Sequence, residues 1–222
     1  MTMKKYVGIL LCLLLLGVAF KGIGSHENLS QDIDNKQDLN ITELAVAISC
    51  GNHYGCGTIL DSQKDKLIVV TAMHVIEDHV FDASNNIIVS FFDGNEYPAS
   101  VAKTDATQDL AFLTLDMSVL NGGYSLIPGS ANSSVLPSTK IFFVDANTSD
   151  IYSGTVASPS VYSEDLGLDV IYCYCQVTPG MSGTGMFDEN GNYLGILLGG
   201  SNDAEAVCLP SAQVFAAYLL QK

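Results

Sequence analysis

Short apolar or alternating runs recur along this 222-residue chain from Ile41 onwards, at intervals of roughly ten residues. Between them lie turn sequences rich in glycine, asparagine and aspartate, which suit hairpins rather than helical crossovers. Examples are Asp93-Gly-Asn95, Asn121-Gly-Gly123 and Asp188-Glu-Asn-Gly-Asn192. Many short strands without intervening helices predict an all-β fold, either an antiparallel barrel or a sandwich.

The predicted strands are the apolar and alternating runs themselves. They are Ile41–Ser49, Cys56–Leu60, Leu67–Thr71, Ile87–Phe92, Tyr97–Ala102, Leu110–Leu115, Ile141–Val144, Val170–Cys175, Gly183–Phe187, Tyr193–Leu198 and Ala206–Leu209. Two helices are also predicted, namely a short turn after Ala72 and a C-terminal helix that has Ser211 as its N-cap and runs to Leu220.

Residues 1–24 have the layout of a secretory signal, because Lys4 and Lys5 precede an uncharged apolar run from Tyr6 to Phe20. No strong cleavage motif follows, so an uncleaved membrane anchor through residues 6–20 is the alternative. Either way we expect an exported protein that is secreted, periplasmic or anchored on the outer side of a membrane. Residues 25–40 are polar and lack an apolar period, which predicts a linker and leaves 41–222 as one domain.

The chain is strongly acidic. Its nine basic residues are all lysine, and 24 acidic residues give a formal net charge of −15 at pH 7. We expect no nucleic-acid partner, since binding to phosphates needs a basic surface.

Five cysteines follow the N-terminal segment, and an oxidising compartment would allow some of them to pair. They are Cys50, Cys56, Cys173, Cys175 and Cys208. Cys50 and Cys56 are candidates to close a short loop, and Cys173 or Cys175 could reach Cys208, but an odd number leaves at least one thiol without a partner in the chain. The alternative is that all are buried free thiols.

A hydrolytic serine site needs a nucleophile, a base and a group that orients the base. Three residues of this chain are candidates for these roles. Ser182 lies in a glycine-rich segment, where the amides of Gly180 and Ser182 would form an oxyanion hole. His74 ends one apolar strand and Asp109 begins another. Taken singly, these are also typical of a glycine-rich turn, a structural histidine and a solvated aspartate. Together they indicate a catalytic site.

The segments around these residues resemble those of the trypsin- and chymotrypsin-like serine peptidases, and most of all the bacterial exported branch. The order of histidine, aspartate and serine along the chain is also that of this family and differs from the order in α/β-hydrolases. The matching segments are Thr71-Ala-Met-His74-Val75, Asp109-Leu-Ala-Phe-Leu113, Pro179-Gly-Met-Ser-Gly183, Gly55-Cys-Gly-Thr-Ile-Leu60, Gly195-Ile-Leu-Leu-Gly-Gly200 and Leu209-Pro-Ser211.

The resemblance implies a chymotrypsin-like fold of two antiparallel six-stranded Greek-key barrels, with the active site between them and a helix at the C-terminus. It implies that His74 is the general base and then the general acid, that Asp109 orients it, and that Ser182 forms the acyl-enzyme. The expected activity is that of a serine endopeptidase on a peptide or protein substrate. The alternative is a catalytically silent trypsin-like domain that binds peptides or a partner protein, whereas the residue order and all-β pattern argue against a serine esterase.

Three positions depart from the family pattern. Val75 replaces the cysteine of vertebrate digestive relatives, so their disulfide at this position is not expected. Met181 replaces the aspartate that pairs with a newly cleaved N-terminus, so activation by that route is not expected. Thr184 replaces a glycine, where the backbone behind Ser182 could differ. No PDZ module is expected after the terminal helix.

The resemblance also places a specificity pocket beside the serine, with Gln176 at its floor and Val177 next to it. The opposite wall would be Leu198, Gly199 and Gly200. No aspartate lies at the floor to select lysine or arginine, and no histidine lies in the wall to bind an acidic side chain. We therefore expect a small or apolar residue before the scissile bond, the P1 position.

The other histidines are His26, His53 and His79. Their neighbours are polar and their spacing does not suggest zinc ligands, so we predict surface positions for all three. No metal ion or other cofactor is expected.

Overall fold

The computed structural model of the chain describes residues 41–119, 135–201 and 203–220. The predicted signal, the linker, His26 and the turn at 121–123 lie outside these residues. Within them, no helix is both long enough and apolar enough to cross a membrane.

Six antiparallel strands form a closed barrel in the first half of the domain, in the order β1-β2-β3-β6-β5-β4. Their inward side chains are apolar, and Phe112, Ile48 and Leu67 are among the largest that are fully buried. The bounds are β1 Ala45–Cys50, β2 His53–Gln63, β3 Lys66–Ala72, β4 Ile87–Ser90, β5 Glu96–Asp105 and β6 Leu110–Asp116.

Six further strands close a second barrel, in the order β10-β11-β12-β9-β8-β7. Its core is rich in sulfur, since Met181, Met186 and three cysteines are buried there beside Phe143 and Leu197. The bounds are β7 Lys140–Asp145, β8 Asp150–Ser163, β9 Leu168–Tyr174, β10 Gly185–Asp188, β11 Tyr193–Ser201 and β12 Glu205–Pro210. The predicted fold of two six-stranded antiparallel barrels is confirmed.

Strand β8 was not predicted, and the reason is its composition. Among its 14 residues only Val156 is buried, so no apolar alternation marks the strand. Backbone hydrogen bonding to β7 and β9 holds it, with irregularities on either side of Ser158. Pro159 lies within the irregular part, where a strand tolerates a residue that lacks an N–H.

The strand predicted over Ile41–Ser49 is wrong in its first half. Residues Ile41–Leu44 form a helical turn, α1, that buries Ile41 and Leu44, and only Ala45–Cys50 pairs as a strand. A short apolar run does not by itself distinguish a buried helical turn from a strand.

Both predicted helices form. After Ala72 comes a 3₁₀ turn, Met73–Ile76, followed by α2, Glu77–Phe81. The C-terminal helix α3 is Ser211–Leu219, but its N-cap is Pro210, and Ser211 is instead the first helical residue and is buried. The prediction of Ser211 as the cap is therefore wrong.

The helix α3 lies against both barrels. The hydroxyl group of Tyr218 donates to Asp61 Oδ2 of the first barrel at 2.6 Å, and Lys103 Nζ donates to the carbonyl oxygen of Ala217 at 2.9 Å. On the second barrel, the rings of Phe215 and Tyr193 meet edge to face. The C-terminal helix thus contributes to holding the two barrels in one arrangement.

All five cysteines of the described residues are buried free thiols. The two candidate disulfides are therefore not formed in this structure, and the alternative of buried thiols is the one observed. Cys208 and Cys173 do lie close together, on the paired strands β12 and β9. Burial and the neighbouring sulfur groups raise the pKa of Cys208 well above its ordinary value.

Candidate active site

The residue predicted as the base lies in the 3₁₀ turn that follows β3, and its predicted aspartate partner lies directly before β6. The two strands pair with Ala72 opposite Leu110, so the register places His74 and Asp109 at the same end of the sheet. His74 Nδ1 lies 2.6 Å from Asp109 Oδ2, and the backbone N–H of His74 donates to Asp109 Oδ1 at 3.0 Å. Because a carboxylate only accepts hydrogen bonds, Nδ1 carries the proton and Nε2 is the nitrogen that can accept one.

Asp109 has an unusual backbone conformation. Its φ is 52°, in the left-handed region that few residues other than glycine adopt. A conformation of this kind costs about 1–3 kcal/mol and persists only where its surroundings enforce it. Here the N–H of Met73 donates to the carbonyl oxygen of Asp109 at 2.9 Å, in addition to the two bonds between Asp109 and His74. Backbone strain of this kind is often found at functional sites.

The loop that carries Ser182 lies against the first barrel. The N–H of Cys56 in β2 donates to the carbonyl oxygen of Ser182 at 2.8 Å. A Cβ atom at Gly55 would lie 3.0 Å from that oxygen and 2.5 Å from Cγ2 of Val75, the residue after His74. The segments that carry His74 and Ser182 are therefore neighbours across Gly55.

Gly183 allows this close approach. Its φ is +90°, and a Cβ atom there would lie 2.1 Å from the carbonyl oxygen of Cys56 and 2.4 Å from Thr71 Oγ1. Both contacts are far shorter than any tolerated by a real side chain, and the nearest atom belongs to the backbone.

We expect Gly183→Ala to lower the free energy of unfolding by roughly 2 kcal/mol or more. Two effects contribute, namely the clash of the new Cβ atom with backbone and the strain of a positive φ in a residue other than glycine. Urea denaturation measures this change. Gly167→Ala is the matched control, since Gly167 also has a positive φ, +71°, but nothing lies within 4 Å of the position of its Cβ. Equal losses in the two variants would contradict the close approach of the serine loop to Cys56.

The amides predicted for the oxyanion hole differ from their neighbours in hydrogen bonding. The N–H groups of Met181, Gly183 and Thr184 each donate to a backbone carbonyl oxygen, at 3.2, 2.8 and 3.0 Å. Among the described residues, the N–H groups of Gly180 and Ser182 have no acceptor. Two unpaired donors on either side of Met181 are what a developing oxyanion needs.

The hydroxyl group of Ser182 is half-buried and forms no hydrogen bond with any residue in the described ranges, His74 included. Hydrogen bonds between catalytic groups are often long in the absence of substrate. The structure thus contains the paired imidazole and carboxylate, with the serine loop beside them.

Comparisons with known proteins identify the family of the chain. The family description "Trypsin-like peptidase domain" matches residues 55–196, more than half of the chain. This chain belongs to the trypsin-like peptidase family. In fold, the chain resembles a serine endoprotease from Yersinia pestis, with a TM-score of 0.67 and 18% sequence identity over 85% of this chain and 68% of that one. No curated protein matches its sequence.

The surroundings of His74 raise the pKa of its imidazole. Burial lowers the pKa of His74, but the hydrogen bond from its ring to Asp109, the charge of Asp109 and the charge of Glu77 together outweigh that effect. The net result is a pKa above the ordinary value of 6.5. The Asp109 carboxylate thus stabilises the imidazolium form of His74, the form that a general base reaches during a reaction.

The residues predicted for the specificity pocket differ in their contacts and exposure. Val177 lies against Gly200, where a Cβ atom would be only 2.2 Å from Val177 Cγ2 and 2.5 Å from the carbonyl oxygen of Glu205. Gln176 is exposed, and Gly199 has open space at the position of its Cβ. The side chain of Leu198 is buried in the apolar core, so its contribution to a pocket wall would come from its backbone.

The positions that depart from the family pattern are each accommodated by packing. Val75 fills the space beside Gly55. Met181 is fully buried in the core of the second barrel. The hydroxyl group of Thr184, also buried, donates to the carbonyl oxygen of Val144 at 2.7 Å and thereby ties the serine loop to β7.

Three residues next to the serine loop were not predicted from the sequence. Cys56 and Asn147 donate to the carbonyl oxygen of Gly180, and Asp145 accepts a hydrogen bond from Asn147. The sequence offers no signal for Asp145 and Asn147, because similar Asp-x-Asn turns occur elsewhere, as at Asp93-Gly-Asn95.

Of the two other described histidines, His53 begins β2 and His79 lies in α2, and both are half-buried. His53 Nδ1 is 3.1 Å from Asp78 Oδ2, and His79 Nδ1 is 2.6 Å from the carbonyl oxygen of Asn85.

Proposed function

We propose that this trypsin-like peptidase is a serine endopeptidase that cleaves peptide or protein substrates through His74, Asp109 and Ser182. The observation that carries the proposal is the 2.6 Å contact between His74 Nδ1 and Asp109 Oδ2, with a second hydrogen bond from the His74 backbone to the same carboxylate. These contacts orient the imidazole, and the loop carrying Ser182 lies against the strands that carry the imidazole.

In the proposed reaction, Ser182 Oγ attacks the carbonyl carbon of the scissile peptide bond while its proton passes to His74 Nε2. The resulting imidazolium is stabilised by Asp109. The negative charge that develops on the substrate oxygen is stabilised by the N–H groups of Gly180 and Ser182. His74 then gives its proton to the departing amine, and water releases the acyl group from Ser182 by the same steps in reverse order.

A fluorophosphonate probe tests the proposal directly, because it forms a covalent bond only with an activated serine. We expect the folded wild-type protein to be labelled, with the modified peptide containing Ser182. A well-folded wild type that resists the probe at all concentrations would instead favour the catalytically silent binding domain.

We also propose a P1 preference for small or apolar residues. The support is the contact of Val177 with Gly200, which leaves little room between these two positions for a long P1 side chain. No charged side chain occupies position 176 or 177, so nothing there favours a lysine, arginine or glutamate.

Replacing Val177 by alanine is expected to shift the preference towards larger apolar P1 residues such as leucine or methionine. Two methyl groups leave the space beside Gly200, and in an apolar pocket each methylene is worth roughly 10–200-fold in discrimination. Cleavage profiling with a peptide library measures this shift. Val161→Ala, at an exposed valine of β8, is the matched control. An unchanged P1 profile in Val177→Ala would show that Val177 does not line the pocket.

A further inference from the structure

The carbonyl group of Gly180 comes, in chain order, between the unpaired N–H groups of Gly180 and Ser182. Side chains from two other segments donate hydrogen bonds to its oxygen. Cys56 Sγ donates to this oxygen at 3.3 Å from β2. Asn147 Nδ2 donates to it, also at 3.3 Å, from the turn between β7 and β8. A glycine with a φ of +96° has no side chain of its own to fix its orientation, so these two donors restrict the rotation of the peptide group that follows it.

Asn147 is itself fixed in place. Its backbone N–H and its Nδ2 donate to the same oxygen, Asp145 Oδ1, at 2.9 and 3.0 Å. Asp145 is the last residue of β7 and only 5% exposed, so it is anchored in the barrel. The two hydrogens of the Asn147 amide group are sufficient for one bond to Asp145 and one to Gly180.

Cys56 holds the serine loop at two points. Its backbone N–H donates to the carbonyl oxygen of Ser182 at 2.8 Å, and its thiol donates to that of Gly180. Burial raises the pKa of the Cys56 thiol to about 12, so the sulfur keeps the proton that it donates. Asn147 Nδ2 also lies within hydrogen-bond reach of Cys56 Sγ, as a donor at 3.6 Å, so the two side chains meet beside the Gly180 oxygen.

From this geometry we infer that Asn147, seated on Asp145, and Cys56 are positioning residues for the oxyanion hole. They fix the carbonyl groups of Gly180 and Ser182, and the N–H of Ser182 lies between those two anchored groups. The inference rests on the proposed function, because an oxyanion hole matters only if the site reacts with acyl groups. Neither residue touches the substrate in this scheme.

The first test compares Asn147→Ala with Asn95→Ala. Asn95 also donates from its backbone N–H and its Nδ2 to its own aspartate, to Asp93 Oδ1 at 3.0 Å and Oδ2 at 2.8 Å, but it lies in the turn between β4 and β5 of the first barrel. We expect Asn147→Ala to lower kcat about tenfold with little change in KM, less than the 10²–10³-fold loss that follows removal of a direct oxyanion donor. Inhibition by a peptide boronate, which mimics the tetrahedral intermediate, should weaken by a similar factor. Asn95→Ala should leave both quantities unchanged.

The second test uses hydrogen exchange, which does not depend on catalysis. Mass spectrometry of the peptide that spans residues 176–187 should show faster amide exchange in Asn147→Ala than in Asn95→Ala, because the Gly180 carbonyl is released. Equal exchange in the two variants would overturn the inference. A third outcome is that Asn147→Ala exchanges faster than Asn95→Ala although the wild type neither hydrolyses peptides nor reacts with the fluorophosphonate. That outcome would support the role of Asn147 in holding the loop and would contradict the proposed function.

A pair of substitutions at Cys56 separates hydrogen bonding from packing. Serine retains a donor for the Gly180 oxygen and alanine does not, while both remove the bulky sulfur atom. We expect Cys56→Ser to retain more of the wild-type kcat than Cys56→Ala, at similar thermal stability. Equal kcat values in these two variants would assign Cys56 a packing role only and would contradict its part in the inference.

Discussion

Replacing Ser182 by alanine is expected to reduce kcat for peptide hydrolysis by a factor on the order of 10⁶ and to abolish labelling by a fluorophosphonate probe. The residue is the only group placed to form the acyl-enzyme in the proposed mechanism, so no covalent route remains without its hydroxyl group. Residual hydrolysis above the rate in water would come from substrate binding and from the N–H groups of Gly180 and Ser182.

This substitution should leave the fold intact. The Ser182 hydroxyl group has no hydrogen-bond partner among the described residues, whereas the backbone carbonyl that anchors the loop to Cys56 is retained in alanine. Ser90→Ala is a suitable control, because it removes a serine hydroxyl group that donates to Glu96 Oε1 at 3.0 Å on the first barrel. Hydrolysis that persists unchanged in Ser182→Ala would contradict the assignment of the nucleophile.

Replacing Asp109 by asparagine is expected to lower kcat about 10⁴-fold near neutral pH. The carboxylate accepts two hydrogen bonds from His74, and an amide group in its place could present its own N–H groups to the imidazole. The ring would then hold its proton on the wrong nitrogen, and the imidazolium would lose its counter-charge. Asparagine tolerates the left-handed backbone conformation of Asp109 better than most residues, so the variant tests the charge rather than the strain.

The pH dependence of kcat/KM gives a second readout of the same pair. In the wild type, kcat/KM should rise with pH through an apparent pKa above 6.5, because only the neutral imidazole accepts a proton and Asp109 raises the pKa of His74. In Asp109→Asn that apparent pKa should fall. Asp105→Asn is the control, since Asp105 accepts hydrogen bonds from Thr107 but none from His74. An identical pH profile in wild type and Asp109→Asn would contradict the role of Asp109.

The pairing of His74 with Asp109 also predicts a pH dependence of stability. Its sign is opposite to that of the activity, because kcat/KM rises with pH whereas this contribution to stability falls. A histidine whose pKa is higher in the folded state adds stability below its unfolded pKa, and this contribution is lost as the pH rises through the folded value. The protonated state that favours folding is therefore the state that is inactive as a base. The exposure of the pair, 43% for the His74 side chain and 26% for Asp109, makes this contribution small.

The sequence by itself determined most of the strands and the order of the candidate catalytic residues. Apolar alternation and the glycine-containing turns are local signals, and they correctly predicted hairpins such as those around Asp93-Gly-Asn95 and Asp188–Asn192. Where no local signal existed, the prediction failed. Strand β8 depends on backbone pairing with its neighbours, and Ile41–Leu44 is apolar enough for either a strand or a buried helical turn.

Only the tertiary structure decided how the site is built around Gly180 and Ser182. The contacts that hold this loop join residues far apart in sequence, with Cys56 reaching Gly180 across 124 positions and Asn147 reaching it across 33. Val177 meets Gly200, and the cysteines are buried, because the closure of each barrel brings distant strands together. A short motif specifies which residue types are present, whereas the orientation of an amide or a thiol depends on every strand that packs around it.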